Sequence, residues 1–149
     1  MNSYFAPTSK RLLFAPDQNR SSKPTPAHFL DRDGVIIEDK HYLSKPESVE
    51  LCPGAREFIR NQKRQGEHIF IVTNQSGIAR GFFDWKDYAK VTDRMLQLLG
   101  TESQPTAIYA NGFGPDQNNE QWRKPNPGML FEAATDFDVD MSSSTLIGD

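Results

Sequence analysis

Cysteine is almost missing from this chain. Of 149 residues only Cys52 is a cysteine, so no disulfide can close within it and no zinc site can be built from thiolates. Histidine is scarce too. His28, His41 and His68 lack the short spacing that brings two imidazoles onto one metal. No apolar run approaches the roughly 20 residues a membrane span needs. There is also no excess of positive charge: Lys plus Arg is 17, Asp plus Glu is 20, and the net charge is -3. That balance gives no broad attraction to nucleic acid or to an anionic membrane. What is left is a soluble protein of a reducing compartment, of a size that suits one domain with its own core.

The charge that is present is unevenly placed. Residues 1–26 carry Lys10, Arg11, Arg20 and Lys23 against Asp17 alone, a net of +3, so a total of -3 leaves -6 for residues 27–149. The same segment holds Pro7, Pro16, Pro24 and Pro26 and shows no sustained period. Its one apolar cluster, Leu12-Leu13-Phe14, is shorter than the roughly 7 residues of a signal-peptide core. Residues 1–26 therefore read as a flexible N-terminal extension, the alternative being a short anchor or partner-binding peptide.

From residue 27 onward, strand and helix patterns alternate. Ala27 to Leu30 is a short apolar strand running into Asp31. Pro53 to Gln65 reads as a helix, with Ala55, Phe58 and Ile59 as its buried stripe and Gly66 as its stop. His68 to Val72 is β-branched and aromatic, hence a buried strand. Asp84 can cap a helix over Trp85 to Leu99, where Tyr88, Val91, Met95 and Leu98 recur at helical spacing. Ala107 to Ala110 is a third strand, Asn111 to Trp122 a polar loop, Pro127 to Phe137 a third helix, and Thr145 to Ile147 a fourth strand. This alternation predicts an α/β fold with a parallel sheet and helices on both faces.

Four short motifs fall where such a sheet would place ligands, at the carboxyl ends of its strands or at a helix start. Asp31-Arg32-Asp33-Gly34 follows the first strand; in an extended segment Asp31 and Asp33 project together, and adjacent carboxylates favour a bound cation or a shared proton. Thr73-Asn74-Gln75-Ser76-Gly77 follows the second strand and offers a turn of short donors suited to an anion. Arg123-Lys124-Pro125-Asn126-Pro127-Gly128-Met129 leads into a helix N-terminus, which favours negative charge. Gly148-Asp149 ends the fourth strand. Each motif alone is also what an ordinary solvated loop would show. Together, Asp31, Asp33, Asp149, Thr73 and Lys124 describe a phosphate site with a hard, oxygen-bound cation, Mg²⁺ rather than zinc.

DRDGVI, TNQSGIARG, RKPNPGM and LIGD, in that order, resemble the four motifs of the haloacid dehalogenase superfamily, and within it the histidinol-phosphatase and heptose-bisphosphate phosphatase group. The resemblance covers residues 27–149. It implies a Rossmann-like three-layer sandwich with a mostly parallel sheet and no large cap domain. It also implies a Mg²⁺-dependent phosphatase acting on a small phosphorylated metabolite; with the charge balance and the lack of a long apolar run, the expectation is a cytoplasmic monomer with no nucleic-acid or membrane partner. Asp31 would be the nucleophile that forms an aspartyl-phosphate. Asp33 would be the acid and then the base, kept protonated at first by its neighbours. Thr73 and Lys124 would hold the transferring phosphoryl group. The metal ligands would be Asp31, the Asp33 backbone carbonyl and Asp149. Asp39, Lys40, His41, Tyr42, Asn74, Gln75 and Ser76 would touch substrate, and Arg123 would clamp a second phosphate.

The chain departs from that pattern in three places. The stretch from Asn111 to Trp122 has neither Cys nor His, so no zinc is expected. The pattern usually continues past Gly-Asp with another acidic residue and another strand, so the domain reads as truncated after its fourth core strand, with a sheet edge uncovered. The segment 1–26 has no counterpart. The leading expectation is heptose 1,7-bisphosphate as substrate. Histidinol phosphate, a polynucleotide 3′-phosphate and an inactive phosphate-binding remnant are the alternatives.

Overall fold

A strand covered on both faces must be apolar on both, and His68–Asn74 meets that condition: its first six residues are buried. It is β4 of the computed structural model, which describes residues 2–5, 10–14, 23–114 and 122–148. On one side it pairs in parallel with β3 (Ala27–Leu30), on the other with β5 (Ala107–Asn111). β6 (Thr145–Ile147) lies parallel to β3 on its outer side. The parallel part of the sheet therefore runs β5-β4-β3-β6. All four expected strands are present, two of them slightly longer than the sequence pattern suggested.

Alternate residues of β4 serve opposite faces. Ile69 and Ile71 pack with Leu30 and Ile108 against Ile59 of α1 (Ala55–Arg64) and Val91, Met95 and Leu99 of α3 (Trp85–Leu99). Phe70 and Val72 pack with Phe29 and Tyr109 against Met129, Ala133 and Phe137 of α4 (Gly128–Phe137). The result is three layers, helix–sheet–helix. Asp84 caps α3 through a reciprocal pair of hydrogen bonds with Asp87, as the sequence predicts. Leu99 rather than Leu98 completes the buried stripe of α3. A one-turn helix not foreseen from the sequence, α2 (Ser76–Ala79), follows β4 directly.

The structure departs from expectation at the N-terminus. Within 1–26, read as a flexible extension, two stretches are strands: β1 (Asn2–Phe5) and β2 (Lys10–Phe14). They pair antiparallel with each other, and β2 pairs antiparallel with β5, with Leu12 opposite Tyr109 and Leu13 opposite Ile108. The reason lies in β5, not in the segment itself. Without β2, β5 would present an unpaired edge, and Leu13 also packs against the α1–α3 side of the core. At the other end of the sheet no strand lies beyond β6 among the described residues, and Leu146 is 59% exposed.

Two predictions follow from this packing. Leu13→Asp should lower the thermal midpoint, whereas a segment outside the sheet would leave it unmoved. The second concerns His68, buried at the start of β4 between the rings of Phe70 and Phe137. Burial, helped by nearby Lys63, holds its imidazole below the ordinary 6.5 despite a hydrogen bond with the Phe137 backbone. The unfolded chain thus takes up that proton more readily than the folded one. This contribution to stability is present above about pH 6.5 and lost as the pH falls below it. Urea midpoints measured across that range should fall on acidification, and His68→Phe should flatten the slope.

Candidate active site

Because β3, β4 and β5 run in parallel, their carboxyl ends open on one edge, and most of the side chains singled out in the sequence gather there. β3 ends at Leu30 and delivers Asp31. The chain then turns sharply: the Arg32 carbonyl accepts from the N–H groups of Val35, Ile36 and Ile37, and Gly34 sits at φ 84°, a conformation that favours glycine. Asp31 Oδ1 accepts from the Arg32 N–H at 2.8 Å. The same oxygen lies 3.0 Å from Lys124 Nζ, each side chain about a quarter exposed.

Lys124 is fixed through its backbone. Asn74, at the end of β4, accepts from the Lys124 N–H at 3.1 Å and donates to the Lys124 carbonyl at 3.3 Å. Asn111, at the end of β5, donates to the same Asn74 oxygen at 3.1 Å. Two strand ends thereby hold the turn that carries the cation. Asn74 acts here as a structural tether as well as a pocket residue.

Asp33 sits in a second network. Its Oδ2 accepts from Arg32 Nε at 3.2 Å and from Gln75 Nε2 at 3.1 Å. Its Oδ1 accepts from Arg32 Nη2 at 2.9 Å. Gln75 also donates to Thr73 Oγ1 at 2.8 Å and accepts from Arg32 Nη2 at 3.2 Å. Both Asp33 oxygens are thus met by donors. Arg32 is the residue that sequence reasoning missed. It is 2% exposed, its Cζ lies 5.9 Å from the Tyr88 ring centroid, and its Nη1 has no hydrogen-bond partner among the described residues. The signal was available, since Arg32 stands between the two aspartates that were named.

A pocket of about 400 Å³ opens over these groups. Asp31, Asp33, Asp39, His41, Tyr42, Asn74, Gln75, Ser76 and Lys124 line it, joined by Arg32, Leu43 and Gly77. Three expected site residues do not line it. Thr73 is fully buried beneath Gln75. Lys40 pairs with Glu50 at 3.3 Å. Arg123 donates to the Phe113 carbonyl at 3.2 Å. Asp149 lies outside the described residues, as do residues 115–121 of the stretch where zinc ligands were sought. Among the described residues no group of three or more His, Cys, Asp or Glu side chains is placed to hold a metal. A cation at this edge would draw on Asp31, the Asp33 carbonyl and water, with Asp149 as a further candidate. Mg²⁺ tolerates such a set, since it takes oxygen ligands and commonly keeps several waters.

The chain matches the polynucleotide kinase 3 phosphatase family over residues 28–149. It is 42% identical over 131 residues to D-glycero-beta-D-manno-heptose-1,7-bisphosphate 7-phosphatase of Mesorhizobium japonicum, a match covering 83% of this chain and 60% of that protein. It is 43% identical over 125 residues to D-glycero-alpha-D-manno-heptose-1,7-bisphosphate 7-phosphatase of Campylobacter jejuni, covering 84% and 72%. Among solved structures it resembles a HAD-like phosphatase of Mesorhizobium loti, with a TM-score of 0.88 at 36% identity, covering 95% of this chain and 70% of that one. It also resembles the D,D-heptose 1,7-bisphosphate phosphatase of B. bronchiseptica complexed with magnesium and phosphate, with a TM-score of 0.77 at 32% identity, covering 84% and 70%. The chain thus spans between three fifths and three quarters of the length of these relatives.

The Arg32–Asp33 pair yields an asymmetric prediction. Asp33→Ala strands a buried guanidinium and should cost about 3 kcal/mol. Arg32→Met leaves a carboxylate that water can reach, and should cost clearly less. Urea unfolding of the two variants measures the difference; equal losses would show that Arg32 is not a buried charge.

Proposed function

The chain belongs to the polynucleotide kinase 3 phosphatase family, of the haloacid dehalogenase type, and from that membership we propose that it is a phosphoric monoester hydrolase. Its proposed substrate is a small phosphorylated sugar, D-glycero-D-manno-heptose 1,7-bisphosphate, which loses its 7-phosphate. The observation that carries this reading is the meeting of Asp31 and Lys124 at 3.0 Å in a pocket that Asp33 also lines. A nucleophilic carboxylate, a cation for the phosphoryl oxygens and a second carboxylate for proton transfer are the parts such a reaction needs.

In this mechanism the phosphate enters beside Lys124, whose ammonium offsets its charge. An Asp31 oxygen attacks phosphorus, and the bond from phosphorus to the sugar oxygen breaks. The departing oxygen takes its proton from Asp33. Water then attacks the aspartyl-phosphate, giving its proton to Asp33, and inorganic phosphate leaves with Asp31 restored. Since Arg32 and Gln75 occupy the oxygens of Asp33, Asp33 must exchange one of these donors for substrate or water during the cycle. Mg²⁺, held by Asp31, the Asp33 carbonyl and Asp149, would supply further positive charge to the phosphoryl group. Thr73 contributes through Gln75, by orienting the amide that reaches Asp33. The step belongs to the cytoplasm, with a monomeric enzyme and a small metabolite as its only partner.

A polynucleotide 3′-phosphate is the second substrate class, favoured by the family that the chain matches. Against it stands the net charge of -6 over residues 27–149, which repels a polyanion. Phosphate release is to be measured with Mg²⁺ from heptose 1,7-bisphosphate, histidinol phosphate and a 3′-phosphorylated oligonucleotide. The sugar bisphosphate should turn over fastest, and chelation of the metal should stop the reaction. Asp31→Asn should lower kcat by about 10³-fold or more while leaving the fold intact. Faster release from the oligonucleotide would overturn the substrate, and unchanged turnover by Asp31→Asn would overturn the mechanism.

A further inference from the structure

We propose that Gly77 is a positioning residue: its missing side chain is the seat on which the loop 39–43 rests over the pocket. This deepens the reading above and rests on it for the substrate named. A Cβ built on Gly77 would stand 2.9 Å from Tyr42 Cδ1 and 3.0 Å from Phe83 Cδ1, and nearer still to Phe83 Cε1. Carbon atoms in good contact sit about 3.5–4.0 Å apart, so both rings already occupy the space a methyl group would take.

The loop needs such a seat. His41 and Tyr42 are consecutive residues with φ of 53° and 54°, a region disfavoured for any residue with a Cβ. Something must hold them there. Asp39 accepts from the His41 N–H at 3.0 Å on one side, and Leu43 is buried in the core on the other. Between them the Tyr42 ring lies edge-on to Phe82 at 4.7 Å and against Gly77. Gly77 also accepts from the Phe82 N–H at 2.9 Å. One small residue thus carries Tyr42 on its bare Cα and fixes Phe82 through its carbonyl. It belongs to the turn that supplies Asn74, Gln75 and Ser76, so the substrate loop is registered directly on the turn that forms the phosphoryl end of the pocket.

The backbone of Gly77 does not itself demand glycine. It lies in a helical turn without a positive φ, where alanine is intrinsically the better residue. Local propensity therefore predicts that Gly77→Ala is harmless or stabilising, while the contact with Tyr42 predicts a displaced loop. The two accounts separate in experiment.

Gly77→Ala is compared with the natural chain on heptose 1,7-bisphosphate and on phenyl phosphate, which offers little beyond its phosphate for the loop to grip. The expected result is a KM for the sugar bisphosphate raised about 10-fold or more, with kcat much less affected and a several-fold smaller loss on phenyl phosphate. In a Tyr42→Gly/Phe83→Leu background, Gly77→Ala should add little, because both rings it would displace are gone. A second reading does not use turnover. With ¹⁹F-labelled tyrosine, the Tyr42 resonance should shift in Gly77→Ala as the ring leaves Phe82. If Gly77→Ala does not fold, Phe83→Leu/Gly77→Ala makes room on the Phe83 side while keeping the clash with Tyr42, and the same measurements apply. An unshifted Tyr42 resonance, or equal losses on both substrates, overturns the role of Gly77. A shifted resonance with no turnover of the sugar bisphosphate by the natural chain instead overturns the proposed substrate and leaves the seat standing.

Discussion

Lys124 and Asp31 meet at 3.0 Å, and each is about a quarter exposed. A pair that open to water contributes little to stability and cannot hold itself together. Its geometry is imposed from below, by Asn74 bonding both backbone groups of Lys124 and by Asn111 bonding Asn74. Those two asparagines end β4 and β5, and their spacing is the spacing of the strands. The register of two buried strands therefore sets where the cation stands. This has a chemical consequence. Because the ammonium is held by its backbone and not by Asp31, a phosphate dianion can recruit it without dismantling the site.

The second network works on the opposite principle. Arg32 is nearly inaccessible to water, and a buried guanidinium is tolerated only where acceptors and polarisable groups surround it. Asp33, Gln75 and the face of Tyr88 supply them. Gln75 also ties this cluster to Thr73 in the floor of the sheet. Asp33 is thereby aimed by a rigid partner, while its own quarter exposure leaves it a path to the pocket. Lys124 is loosely paired with Asp31, whereas Asp33, the proposed proton-transfer group, is tightly clamped. That division fits a reaction in which charge is neutralised early and the proton moves at a defined point.

Much of this was legible in the sequence, for physical reasons that differ by element. β4 could be read because burial on both faces forces a continuous apolar run, and α3 because its stripe and its Asp84 cap agree. Asp31, Asn74 and Gln75 could be placed at one edge because parallel strands carry whatever follows them there. The N-terminal hairpin could not. Lys10–Phe14 has no period of its own, and its place is decided by the open side of β5, far along the chain. Arg32 was passed over because an arginine between two aspartates looks like a solvated cation until the turn at Gly34 folds it inward. Thr73 follows the motif to the end of β4, where it is buried like the five residues before it and accepts from Gln75, a pocket residue. Arg123 has the charge for a phosphate clamp but spends a donor on the Phe113 carbonyl.

The two halves of the pocket are built to different tolerances. The half that carries Asp31, Asp33 and Lys124 comes from strand ends and turns locked to the sheet, so changes there reach the core. The other half is the loop 39–43, anchored by Leu43, by Asp39 on the His41 N–H, by the Lys40–Glu50 pair and by Tyr42 against Phe82 and Gly77. A few substitutions in it can reshape the outer pocket without moving Asp31, Asp33 or Lys124. Relatives of similar identity to this chain are phosphatases for opposite anomers of one sugar bisphosphate, while the family as a whole takes its name from a polynucleotide phosphatase. A fixed chemical edge beneath a lightly tethered loop is the kind of construction that permits such divergence, because selectivity can drift at small cost in stability while the reacting groups stay where the strands put them.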